Sequence, residues 1–284
     1  MKTPYFGPAG SSESFYAAGY HSTDQAFAWL KGLGLTAFEY PMGRGATVSE
    51  ETARKIGAEA QKHGIMLSAH APYYINLANP DREARTKSLG YILQTALRLD
   101  RMQGERMVVH VGSAKGLERK DALRNAAEGL HEALAMLEEN GLSARLCVET
   151  MGKPAQIGDL NETLAFCAGD ERLIPCLDFA HLHALGNGCL HSTEDFARIL
   201  DTVEETLGLD RARSMHIHFS TVEYGANGEK RHRTFQDEGF GPRFEHLAPL
   251  LKTRGYAPTV ICESRGTMAE DALTMQTIYN SLTL

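Results

Sequence analysis

Eight short runs rich in Val, Ile, Leu, Cys and aromatic residues recur along the chain, each followed by a longer stretch in which apolar residues return with helical spacing. A strand that leads through a helix to the next strand pairs with it in parallel, because the crossover returns the chain to the same end of the sheet. The runs lie at 5–6, 36–40, 65–70, 106–111, 145–150, 173–178, 214–219 and 258–263. Between them, Leu89, Ile92, Leu93, Ala96 and Leu97 share one helix face, and Leu123, Ala126, Ala127, Leu130, Leu134 and Leu137 share another. Asn140-Gly141 stops the second of these helices, and Thr267 with Glu270 reads as a capping box that opens the last one. Eight βα units in 284 residues fit a (β/α)8 barrel better than an open doubly wound sheet, and no GxGxxG follows a strand. With no linker or composition shift, residues 1–284 read as a single TIM barrel domain.

In such a barrel the last residues of the strands meet at one mouth. Here they are His70, His110, Glu149, Asp178, His218 and Glu263, separated by 40, 39, 29, 40 and 45 residues, each about one βα unit. A lone His or Glu after a strand is ordinarily a hydrogen-bonding residue. Six converging imidazoles and carboxylates are different, because unpaired buried charge costs several kcal/mol per group, and divalent cations remove that cost. Mixed His and carboxylate ligation with room for water suits catalytic zinc, with manganese or iron as alternatives, whereas structural zinc favours a closed cysteine shell. His181, in the Asp-x-x-His arrangement after Asp178, is placed to add a ligand, and His183 reads equally as a supporting partner or a surface residue.

The remaining composition narrows the setting. No run of 18 apolar residues occurs and no apolar stretch follows Lys2, so neither a membrane span nor a signal peptide is expected and the location reads as cytoplasmic. Five cysteines without a CxxC pair read as free thiols. A formal charge of −7 runs against DNA binding driven by global charge, so any such binding would need a local basic face, for which 229–233 and Arg119-Lys120 are candidates. Nothing points to a partner-binding helix, and a monomer is the expected state.

The residues resemble the endonuclease IV type of apurinic/apyrimidinic endonuclease among the xylose-isomerase-like barrels. The resemblance spans most of the chain and is carried by His70-Ala71-Pro72-Tyr73-Tyr74-Ile75-Asn76-Leu77, His110-Val111-Gly112-Ser113, Val148-Glu149-Thr150, Cys176-Leu177-Asp178-Phe179-Ala180-His181, His216-Ile217-His218-Phe219 and Ile261-Cys262-Glu263. It implies two or three zinc ions and hydrolysis of the phosphodiester on the 5′ side of an abasic site in DNA. His70, His110 and Glu149 would hold one ion, and Glu149, Asp178, His218 and Glu263 a second, with Glu149 bridging. His181 and His232 would belong to a third, and Tyr73 matches a position that contacts DNA beside the lesion. Glu149, His181 and His232 would be the catalytic residues, Glu149 orienting the attacking hydroxide and the two histidines serving the leaving group.

Two departures qualify the resemblance. The family's Asp-x-His pair reads Lys230-Arg231-His232, so the third site is weaker, rebuilt from Glu229 or Asp237, or absent. The loop after the second strand is the short Pro41-Met42-Gly43-Arg44-Gly45, without the family's polar and aromatic DNA contacts. The alternative is a divalent-metal sugar isomerase or epimerase on the same barrel, favoured by the acidic charge; a non-catalytic metal-binding scaffold is a third reading. Ligand number separates the first two, since one metal needs about four ligands and this mouth offers up to eight.

Overall fold

The computed structural model of the chain describes residues 3–283. Its strands are β1 (Tyr5–Pro8), β2 (Ala37–Pro41), β3 (Met66–His70), β4 (Arg106–Val109), β5 (Arg145–Glu149), β6 (Ile174–Asp178), β7 (His216–Phe219), β8 (Thr221–Gly225), β9 (Gly228–Arg233) and β10 (Thr259–Cys262). Eight of them form one parallel sheet in the order β1-β10-β7-β6-β5-β4-β3-β2. All eight runs expected from the sequence are therefore strands of one barrel. The run 214–219 loses its first residues to the short helix Leu209–Arg213, whose C-cap is Ser214, and the run 106–111 ends at Val109, leaving His110 just past the strand.

The sheet closes at the β1–β2 seam through few bonds. Thr36 N donates to Phe6 O at 2.9 Å, Gly10 N donates to Glu39 O at 3.0 Å, and Ala9 bridges Glu39 in parallel. Gly7 makes the approach feasible, since a Cβ there would sit 1.8 Å from Ala37 O.

Period-two alternation sorts each strand into two faces. Outward residues such as Phe6, Phe38, Leu67, Ala69, Met107, Val109, Leu146, Val148, Leu177 and Ile217 join the main apolar core beneath the helices. The inward set differs in kind. Val108, Cys147, Ile174 and Cys176 form a small separate apolar cluster, and two residues further along their strands stand His110, Glu149 and Asp178. The barrel is thus plugged low and polar at the mouth, from the alternation of each strand alone.

Helix starts are set by local chemistry. Ser49 and Asp81 accept from Thr52 N and Glu83 N, and Asp159 with Glu162 and Ser192 with Asp195 form capping boxes. The box expected at Thr267 and Glu270 is not formed. Helix Met268–Ser281 begins there without a side-chain cap, because the Thr267 hydroxyl donates to Asp271 instead. Arg119, expected to add to a basic face, is committed to structure: it makes a two-pronged pair with Glu162 at 2.7 and 2.6 Å and a bond to Pro154 O. No helix among the described residues is long and apolar enough to cross a membrane.

The antiparallel hairpin β8–β9 was not foreseen. It leaves the end of β7 and packs over helix Phe179–Leu185, with Val222 against Ala180 and Ala184.

Candidate metal centre

The six strand-end residues, together with His181 and His232, meet at the mouth of the barrel. His70, Tyr73, His110, Glu149, His181, Glu229, His232 and Glu263 line a cavity of about 640 Å³ there. Glu149, 1% exposed, occupies its floor and divides its two oxygens. Oε2 lies 3.2 Å from His70 Nε2 and 2.8 Å from His110 Nε2, while Oε1 lies 3.2 Å from His218 Nδ1 and 3.5 Å from His181 Nδ1. A carboxylate so divided can serve two cations at once.

Four overlapping sets place ligand atoms within 4.8 Å of one another: His70, His110 and Glu149; Glu149, Asp178, His218 and Glu263; Asp178, His181 and His232; and, wholly buried, Cys176, His216 and His218. Several imidazoles are oriented by their second nitrogen. His70 Nδ1 donates to Ala71 O at 2.7 Å, His181 Nδ1 donates to Thr150 O at 2.9 Å, and His232 Nδ1 pairs with Ser220 Oγ at 2.7 Å, so each turns Nε2 to the cavity. This is how metal-ligating histidines are normally fixed. The donor set of nitrogen and carboxylate oxygen fits zinc, manganese or iron, and Asp178 Oδ2, buried and without a hydrogen bond, is a ligand atom lacking a partner among the described residues.

A residue that strand-end reading missed completes the floor. Glu39, inward on β2, reaches across the lumen: its Oε2 accepts from Ser68 Oγ at 2.8 Å and lies 3.1 Å from His216 Nε2, and its Oε1 lies 2.9 Å from His218 Nε2. His218 thereby presents Nδ1 to Glu149 and Glu263. The signal was in the sequence, since Glu39 is a charged residue one position before the end of the run 36–40.

The electrostatics follow from this crowding. Burial opposes ionisation of Glu39 and Glu149, yet His218 with His216, and His110 with His218, hold them well below the usual carboxylate range. Burial pushes Glu263 up, against the pull of His218 and His232. His181 is disfavoured as a cation by burial, but Asp178, Glu149, Glu229 and Glu263 outweigh that and raise it to about 9. Burial, helped by His70 and His181, outweighs Glu149 at His110, which is lowered. Protons on His70, His181 and His218, all raised, balance the carboxylates, and cations would take their place.

Tyr73 stands at the rim, 58% exposed, with its ring centroid 5.0 Å from that of His70 and 5.7 Å from that of His110. Partial desolvation at the rim and the nearby Glu263 push it up to about 12. Lys153, Arg231 and Arg265 add positive charge to the cavity wall. His183 lies away from the mouth and is not a surface residue: it is buried, accepts from Leu190 N at 3.1 Å, and is lowered to about 4 by burial and by His191. Asp237 also lies away from the mouth and caps its own turn by accepting from Thr234 N. Glu229, by contrast, faces the cavity, with Oε2 3.5 Å from His181 Nε2.

The family model described as a xylose isomerase-like TIM barrel matches residues 27–278. A protein of Methanocaldococcus jannaschii, itself uncharacterized, is 34% identical over 253 residues, 89% of this chain and 90% of its own. A probable endonuclease 4 of Acholeplasma laidlawii is 33% identical over 189 residues, covering 64% of this chain but only 61% of its own length. Among solved structures, endonuclease IV of Thermus thermophilus superposes with a TM-score of 0.69 at 21% identity over 99% of this chain and 98% of that one. A D-tagatose 3-epimerase-like protein gives 0.67 at 18% identity over 87% of each chain. Nuclease and epimerase thus share this fold.

Proposed function

The chain belongs to the xylose isomerase-like TIM barrel family, and on that footing we propose that it is a metal-dependent endonuclease that cleaves the phosphodiester backbone of DNA at abasic sites. The observation that carries this reading is the division of Glu149 between two ligand sets, with a third set beside them, since a single-metal sugar epimerase needs about half as many ligands. Resemblance to probable endonuclease 4 proteins supports it at the level of sequence.

Bound divalent ions would supply Lewis-acid charge to the phosphate and lower the pKa of water at the site. The residues do the rest. Glu149, held ionised, would hold the bound ions with its two oxygens and set the line of approach of the attacking water. His181 and His232 occupy the side of the mouth nearest Glu229 and Glu263, where the charge of the departing oxygen would be met. Lys153 and Arg265 put positive charge at the rim of a chain of net charge −7, where flanking phosphates would find local rather than global attraction, while Arg231 beside them is paired with Glu223 at 2.9 Å. The exposed ring of Tyr73 offers a face on which an unstacked nucleotide rests. Five free cysteines, four of them buried, suit the reducing cytoplasm.

The test is incubation of the zinc-loaded protein with a duplex carrying one abasic analogue, repeated with manganese and magnesium. Incision on the 5′ side of the lesion is expected, with a loss of at least about a thousandfold in Glu149→Gln. No incision with any of the three ions, together with turnover of a ketose, would replace this reading by the sugar epimerase one.

A further inference from the structure

The third cation site has lost its expected aspartate to Lys230, yet the hairpin supplies a carboxylate in its place. In β8–β9, Thr221, Val222 and Glu223 pair with Arg233, His232 and Arg231, but Tyr224 pairs with Glu229, and the register shifts between Glu223 and Tyr224. Lys230 is the extra residue of a β-bulge. Directly opposed residues share a face, so Val222, Tyr224, His232 and Glu229 all face the helix Phe179–Leu185, which carries His181. Without the bulge, that face would carry Lys230. With it, Lys230 turns outward to within 3.7 Å of Glu223 and is largely exposed.

We propose that Glu229, brought to the mouth by this bulge, is the carboxylate ligand of a third divalent cation held with His181 and His232. The assignment rests on reading the mouth as a metal centre and adds Glu229 to the set of Asp178, His181 and His232 described above. Glu229 Oε2 is 3.5 Å from His181 Nε2 and its Oε1 is 4.0 Å from His232 Nε2. The carboxylate thus turns one oxygen toward each imidazole, at separations near the roughly 3.4 Å between ligand atoms of tetrahedral zinc with bonds of about 2.1 Å. Both imidazoles already have Nδ1 committed, to Thr150 O and Ser220 Oγ, leaving Nε2 as the free atom.

The backbone is shaped for the same contact. Glu229 N donates to Gly152 O at 2.9 Å, docking the hairpin on the loop after β5. A Cβ on Gly152 would lie 2.8 Å from Glu229 Cβ and 2.9 Å from His181 Cδ2, so a side chain there would separate the two. The remaining partner of Glu229 is Lys153 Nζ at 3.7 Å, on a side chain half exposed at the rim.

The experiment is zinc stoichiometry and affinity, measured by titrating the metal-free full chain and by elemental analysis after dialysis, with no DNA present. Three ions per chain are expected for the wild type and for Lys230→Ala. Two are expected for Glu229→Gln, with the remaining two within about threefold of wild-type affinity, and Glu229→Asp should bind the third at least about tenfold more weakly than wild type. Three ions in Glu229→Gln at unchanged affinity, or no more than two in the wild type, would overturn the proposal. Anomalous diffraction from zinc-loaded wild-type crystals gives a readout independent of how any variant folds: an ion within about 2.2 Å of a Glu229 oxygen supports the assignment, and its absence there sinks it. Three ions without incision of an abasic duplex would leave this assignment standing and remove the nuclease reading.

Discussion

Glu39 shows how one side chain governs a site it does not line. Its carboxylate meets two imidazoles in a lumen almost closed to water, and the 2.9 Å contact of Oε1 with His218 Nε2 leaves the other nitrogen of that ring facing Glu149. Glu39→Gln keeps the shape and removes the charge. It should weaken the cation shared by Glu149, Asp178, His218 and Glu263 by about ten- to a hundredfold and cost about 3 kcal/mol of folding stability, because the buried His218 loses a counter-charge while His216, lowered to about 4 by burial, stays neutral. Zinc titration and urea unfolding read the two effects separately; wild-type values in both would show that Glu39 does neither. The strand-end residues were legible because a charged or imidazole group that interrupts an apolar run stands out at the βα period. Glu39 carries the same mark, inside its run rather than at the end. Lys230 misled for a different reason: counting residues two by two along β9 puts it on the face of His232, and only the bulge, which leaves no trace in composition, transposes Glu229 to that face.

The elements differ in how openly the sequence declares them. Parallel strands buried on both faces are continuous apolar runs, so all eight could be located, with their ends shifted by a residue or two. The β8–β9 hairpin is short, polar and half exposed, and its second strand reads as a charge run; Asn227-Gly228 at its tip was the only local cue. That tip is also where the hairpin depends on glycine. Gly228 has φ +84°, and a Cβ on it would sit 2.1 Å from Gly152 O. Gly228→Ala should therefore undock the hairpin at a cost of about 1–3 kcal/mol while leaving the eight-stranded sheet intact. Hydrogen exchange should show faster opening confined to residues 221–233, and zinc titration should show loss of the weakest ion; uniform destabilisation of the barrel would contradict this division.

At the scale of the whole molecule, folding gathers carboxylates and imidazoles that repel one another unless balanced, so the centre and the fold share their stability. Cations bound only by the folded state add RT ln(1 + [L]/Kd) each, about 4 kcal/mol at a thousandfold excess over Kd. Chelation should therefore lower the melting temperature by at least about 8 °C for a chain of this size, and calorimetry with and without zinc measures it. An unchanged transition would mean that the mouth is stable without ions. The β1–β2 seam, held by few backbone bonds, is also bolted through the lumen, since Glu39 on β2 grips histidines on β7 at the opposite wall. Prising that joint apart means dragging a carboxylate off His218, a residue facing the centre. The mouth should thus act as a remote fastener: zinc loading is expected to slow deuterium uptake at the Gly10 and Thr36 amides, which belong to none of the ligand sets, and Glu39→Gln to abolish that protection.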